Sequence, residues 1–282
     1  MKKYIIKNHR IIAEKQAQIS INERGFLFGD GIFETCRIFN GKIYNFTAHK
    51  NRIKAGLTAL KFSAEIDDLE KKSLQLIKKN QVKNGLLRIS ISRGIGSLGY
   101  LPTYKSEPLI IIQTLPLRKI TAKKITLGFS TIKKPPQNSQ TTSCKTAQAL
   151  PYILNKISAT EQKLFDCVML SQENFISETS SANIFWVKNN QIFTPSEACD
   201  IVLGTIRDKL LKISPHKIKL VKAKISDLKN ADEIFLTNTS FLILAVDELV
   251  WKESGKKISK KLTNNFTKKL LKLLQKDLTE ID

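Results

Sequence analysis

Apolar residues in this chain come mostly in short runs of strand length, broken by turn residues and by a few segments with helical spacing. That pattern is the one an α+β fold shows. A length of 282 residues is more than one core usually serves, so two domains are expected. We place a small N-terminal α+β domain at residues 1–115, a linker around Leu115-Pro116-Leu117-Arg118 at 116–120, and a larger domain at 121–282.

Within the first part, Thr47 precedes Ile53, Leu57 and Leu60 at helical spacing and is read as the cap of a helix carrying Arg52. A second helix is read over Leu69 to Lys79, and strands over Leu86 to Ser92 and Leu109 to Thr114. In the second part Pro151 to Leu164 reads as a helix with Ile153, Leu154 and Ile157 on one face. Cys167 to Leu170, Phe175 to Glu178 and Asn183 to Lys188 read as strands, and Asn189-Asn190 as a tight turn into Gln191 to Thr194. Gly204 introduces a helix over Thr205 to Ile213. Glu233 to Thr237 is a strand, and Leu262, Phe266, Leu270, Leu274 and Leu278 mark a terminal amphipathic helix.

Charge is the compositional outlier: 47 Lys and Arg against 25 Asp and Glu leave +22. Such a field favours anionic ligands without naming one. The lysines are scattered and not interleaved with aromatic residues, so a nucleic-acid-binding protein is only a remote alternative and no nucleic-acid partner is expected. No apolar run has membrane-spanning length, and the four cysteines (Cys36, Cys144, Cys167, Cys199) lie far apart. A cytoplasmic protein with reduced thiols and no membrane partner is the expectation.

Three histidines form no metal cluster, and neither a Gly-x-Ser-x-Gly elbow nor a Walker loop is present, so metal, hydrolase and NTPase readings fall away. Two stretches suit an anion: Gly204-Thr205-Ile206-Arg207 at a helix start and Asn238-Thr239-Ser240 after a strand. Covalent chemistry is left to a lysine, since a desolvated amine condenses with carbonyl compounds. Composition does not single one out.

Motif order does. Arg24-Gly25-Phe26-Leu27-Phe28-Gly29-Asp30-Gly31-Ile32-Phe33-Glu34-Thr35, then His49-x-x-Arg52, Ser143-Cys144-Lys145-Thr146, Ile176-Ser177-Glu178-Thr179, Ser181-Ala182-Asn183-Ile184-Phe185-Trp186, Gly204-Thr205-Ile206-Arg207-Asp208 and Leu236-Thr237-Asn238-Thr239 follow one another. In this the chain resembles the class IV aminotransferases, a family of fold type IV pyridoxal 5'-phosphate (PLP) enzymes. It comprises branched-chain aminotransferases, D-amino acid aminotransferases and aminodeoxychorismate lyases.

The resemblance implies a two-domain α+β fold like that of D-amino acid aminotransferase, with a larger β-rich C-terminal domain, PLP as cofactor, a small-molecule substrate and a homodimer. By the same resemblance Lys145 is the Schiff-base and proton-transfer lysine. Arg52, Thr205, Ile206 and Thr239 hold the phosphate, and Glu178 keeps the pyridine nitrogen protonated. Phe33, Thr35 and Arg93 are candidates for the substrate side.

Thr35 and Leu150 stand where branched-chain aminotransferases usually carry glycine and tyrosine. Ser92-Arg93-Gly94-x-Gly96-x-x-Gly99-Tyr100 resembles a segment of the lyases, which convert 4-amino-4-deoxychorismate to 4-aminobenzoate and pyruvate for folate synthesis. The lyase is the expected activity, and a class IV aminotransferase acting on branched-chain or D-amino acids the alternative. Leu98 replaces the arginine common in those lyases, which leaves the substrate carboxylates to another cation, Arg93 or Arg37.

Overall fold

Every second side chain of Gly31–Phe39 is buried from Ile32 through Glu34 and Cys36 to Ile38, while Phe33, Thr35 and Arg37 are half-buried. This period of two marks a strand with one face on a core. The computed structural model describes residues 3–102, 106–117, 119–136 and 144–280. These fall into two compact units: residues up to 117 with 144–148, and residues 119–136 with 149–280.

The first unit contains β1 (Tyr4–Lys7), β2 (Arg10–Ala13), α1 (Arg24–Phe28), β3 (Gly31–Phe39), β4 (Lys42–Ile43), α2 (Phe46–Ala59), α3 (Leu69–Lys79), β5 (Gly85–Ser92) and β6 (Leu109–Leu115). Its strands make one antiparallel sheet in the order β2-β1-β6-β5-β3-β4. Ile53 and Leu57 of α2 and Leu76 of α3 join Ile32, Ile38, Ile89 and Ile112 in its core. The helix start differs from the sequence reading. Asn45, in the left-handed conformation at φ 53°, is the boundary residue, and Thr47 lies inside the first turn, where it cannot cap.

Residues 144–148 return to this unit, which corrects the expectation that Lys145 belongs with 121–282. β4 pairs only with Ile38 and Phe39, leaving the first half of that edge of β3 to another segment. Lys145 and its neighbours occupy it: Phe33 N–H donates to the Lys145 carbonyl at 2.9 Å, Ala147 N–H donates to the Gly31 carbonyl at 2.9 Å, and Thr146 pairs with Ile32.

The second unit contains β7 (Thr126–Lys133), α4 (Leu150–Glu161), β8 (Asp166–Leu170), β9 (Asn183–Lys188), β10 (Gln191–Pro195), α5 (Thr205–Ile213), β11 (Ile218–Val221), α6 (Ile225–Lys229), β12 (Glu233–Asn238), β13 (Leu242–Ala245), β14 (Glu248–Glu253), β15 (Lys256–Lys261) and α7 (Asn265–Thr279). Two mixed sheets, β11-β10-β9-β12-β13 and β15-β14-β7-β8, contribute Ile184, Trp186 and Leu236, and Leu127, Val168 and Leu249, to one core. Asn189 and Asn190 both have positive φ, as a two-residue hairpin requires.

Phe175 to Glu178 is not a strand. Its backbone bonds go to different neighbours, Ile176 N–H to the Ala223 carbonyl and Ser177 N–H to the Met169 carbonyl, so it is a connection stitched down at both sides. On α4 the packed residues are Asn155 and Ala159, whereas Leu150, Ile153, Leu154 and Ile157 are 45–63% exposed.

Candidate active site

Each unit carries its own set of the residues singled out above. In the first, Lys145 lies directly across from Phe33 in the edge pairing, so both side chains leave the same face of the sheet. The Lys145 ammonium is 4.7 Å from the centroid of the Phe33 ring. Thr35 follows on that face, two residues along β3.

Arg52 projects from α2 toward the opposite, buried face. Its Nε and Nη2 donate to the two carboxylate oxygens of Glu34 at 2.5 and 2.7 Å, and His49 Nδ1 lies 2.7 Å from the same carboxylate. His49 and Arg52 are three residues apart on one helix, which brings both onto Glu34. Burial alone would raise the Glu34 pKa, but the Arg52 charge and the bonds from His49 and Arg52 outweigh it and hold the group at about 2. Glu34 therefore fixes the guanidinium as an ionised partner. The sequence signal for it was an acid on the buried face of β3 with two bases at helical spacing nearby.

Arg93 is committed to structure. Its Nε and Nη2 donate to the two oxygens of Asp30 at 2.8 and 3.1 Å, and its Nη groups also reach the carbonyls of Leu60 and Lys61. Arg24 shares Asp30 and donates to the carbonyls of Ser97, Gly99 and Tyr100, tying down the loop that contains Leu98. Gly94, at φ +90°, has its missing Cβ position 1.8 Å from the Glu107 carbonyl, so only glycine fits there.

In the second unit Glu178 is 4% exposed and held from three sides. Lys134 Nζ donates to Oε1 at 2.6 Å, while Asn183 Nδ2 and the Val202 N–H donate to Oε2 at 2.9 and 3.1 Å. Lys134 also donates to the Tyr152 hydroxyl. Burial works against the Lys134 charge, yet Glu178 and Tyr152 more than compensate and raise its pKa above the ordinary lysine value. The buried pair is thus an ion pair. Sequence reasoning missed Lys134, because its partner lies 44 residues away and nothing local distinguishes it from other lysines.

Gly204, which has no side chain to make a capping bond, is the N-cap of α5. A Cβ on Gly204 would stand 2.0 Å from Asn183 Oδ1, so the glycine lets the helix start approach the residue that holds Glu178. Thr205 and Ile206 open that helix and are buried. Thr237, the register partner of Asn183, keeps a buried hydroxyl with no hydrogen-bond partner among the described residues. After it, Asn238 Oδ1 accepts the N–H groups of Ser240 and Phe241, which shapes the turn containing Thr239. Within the second unit, a helix start opened by a glycine, a buried carboxylate paired with an ammonium and an orphaned hydroxyl suit a phosphorylated pyridine.

The family model for class IV amino-transferases matches residues 31–249, most of the chain. The chain belongs to the class IV aminotransferase family. It is therefore an enzyme of the PLP-dependent aminotransferase and lyase group. Among its relatives, a D-alanine aminotransferase of Bacillus licheniformis is 25% identical over 93% of this chain and 93% of that protein. An aminodeoxychorismate lyase of Vibrio harveyi is 26% identical over 79% of this chain and 84% of that protein. The fold is that of the Escherichia coli branched-chain amino acid aminotransferase, with a TM-score of 0.89 at 21% identity, covering 98% of this chain and 94% of that one.

Proposed function

We propose that the protein is an aminodeoxychorismate lyase, converting 4-amino-4-deoxychorismate to 4-aminobenzoate and pyruvate. The observation that carries this reading is the 92–100 segment. Its lyase-like glycines meet real constraints at Gly94 and at Gly96, whose missing Cβ would touch the Arg24 side chain at 2.8 Å, and Arg24 anchors the loop through three carbonyls.

PLP, when bound, supplies an electron sink for the carbon that carries the substrate amine. The family resemblance assigns the phosphate to Arg52, which Glu34 sets, and to the Thr205 and Ile206 N–H groups and the Thr239 hydroxyl. Glu178 would hold the proton on the ring nitrogen, and the Lys134 ammonium, 2.6 Å from Oε1, positions its carboxylate for that role. Lys145 holds the cofactor, then as a free amine removes the proton from the amine-bearing ring carbon. The enolpyruvyl C–O bond breaks, Lys145 returns the proton to the departing fragment to give pyruvate, and aromatisation drives the step.

The second reading is an aminotransferase; the D-alanine aminotransferase relative matches 93% of this chain and the lyase 79%. The two separate in one assay. The lyase forms 4-aminobenzoate and pyruvate in equal amounts while the cofactor stays an aldehyde. Conversion of the cofactor to pyridoxamine phosphate by D-alanine, with no 4-aminobenzoate from aminodeoxychorismate, establishes the aminotransferase instead.

A further inference from the structure

One face of the sheet that carries Asn183 presents three cross-strand pairs from β9 and β12: Val187 with Glu233, Phe185 with Phe235, and Asn183 with Thr237. A helix start meets each end of that row. At the first end Glu233 accepts the N–H groups of Phe266 and Thr267 and the Thr267 hydroxyl, each at 2.9 Å, so the chain itself supplies the anion for the start of α7. Phe185 and Phe235 stack at 4.9 Å between the ends and bring no polar side-chain atom.

The other end is built differently. There α5 begins at Gly204, whose Cβ position is 2.0 Å from Asn183 Oδ1, and a glycine brings no acid. The acid of its first turn, Asp208, is turned to Arg207 at 3.4 Å. Glu178 is spent, its oxygens accepting from Lys134, Asn183 and Val202. Thr237 stands beside Asn183, 2% exposed, and its hydroxyl has no hydrogen-bond partner among the described residues. A hydroxyl shut away from water without an acceptor is unfavourable, and valine fills the same shape on a strand without that cost. A helix start attracts an anion and the hydroxyl lacks an acceptor, so one group with several anionic oxygens answers both.

We propose that the Thr237 hydroxyl is a further donor to the phosphate of the cofactor, at the start of α5. The assignment rests on the PLP-enzyme reading above, and it serves either the lyase or the aminotransferase.

Thr237→Val removes the hydroxyl and keeps the branched shape, whereas Thr237→Ser keeps the hydroxyl. The measurements are the melting temperature of each cofactor-free protein, the PLP dissociation constant from the near-visible band, and the phosphorus NMR resonance of bound PLP. Cofactor-free Thr237→Val melts no lower than wild type. It binds PLP roughly 10- to 100-fold more weakly, the worth of one hydrogen bond to a charged group, and its phosphorus resonance moves while the band keeps its position. Thr237→Ser stays close to wild type in affinity and resonance. A lower melting temperature for Thr237→Val shows that the hydroxyl already has a partner in the fold. An unchanged dissociation constant and resonance, or a Thr237→Ser that behaves like Thr237→Val, shows that the phosphate does not use it. Each of these outcomes overturns the assignment and leaves the PLP-enzyme reading standing. Absence of the band in wild type overturns both.

Discussion

Glu34 shows how one buried carboxylate can fix an arginine and set an acid limit on the fold. Its folded pKa, about 2, lies below the ordinary value of 4.5. The stabilisation is therefore complete above about pH 4.5 and is lost as pH falls toward 2, on the order of 3 kcal/mol in all. Glu34→Gln removes that dependence and lowers neutral-pH stability by a similar amount. Urea unfolding at pH 7 and pH 3 measures it, and a mutant that keeps the wild-type pH slope would show that Glu34 is not its source. At this scale the sequence singles out a residue only where a motif marks it. Lys145, Arg52 and Glu178 stand in motif order, but Lys134 owes its surroundings to a partner remote in the chain and had no local signature.

At the scale of elements, the start of α5 is shaped by the absence of a side chain. Gly204→Ala places a methyl against Asn183, which donates to both Glu178 and the Val202 carbonyl. PLP affinity is expected to fall at least about 10-fold with the helix content intact, since a charge-assisted bond to Glu178 is lost. An unchanged dissociation constant would detach this helix start from the cofactor site. Helices α3 and α5 coincide with their sequence readings, because apolar spacing and end signals agreed there. Phe175 to Glu178 and the Thr47 cap did not, because a connection bonded to two neighbours and a left-handed Asn45 leave the same apolar and polar letters as a strand and a cap.

For the whole molecule, the exposed Leu150, Ile153, Leu154 and Ile157 form an apolar stripe on α4 that a lone chain leaves in water. We infer that a second copy covers it, in line with the homodimer the family resemblance implies. Ile153→Lys with Ile157→Lys then gives a monomer in sedimentation velocity, and a mutant that sediments like wild type would place the interface elsewhere. The return of residues 144–148 to the first unit could not be read from the sequence, because edge pairing between segments more than a hundred residues apart leaves no local pattern.

The central claim, a PLP enzyme with Lys145 as its lysine, is tested most directly by titrating PLP into the protein and into Lys145→Ala while recording absorbance. We predict a near-visible band, stable to dialysis, in wild type and its absence in the mutant. The same band in both proteins would contradict the role of Lys145, and no band in wild type would contradict the account as a whole.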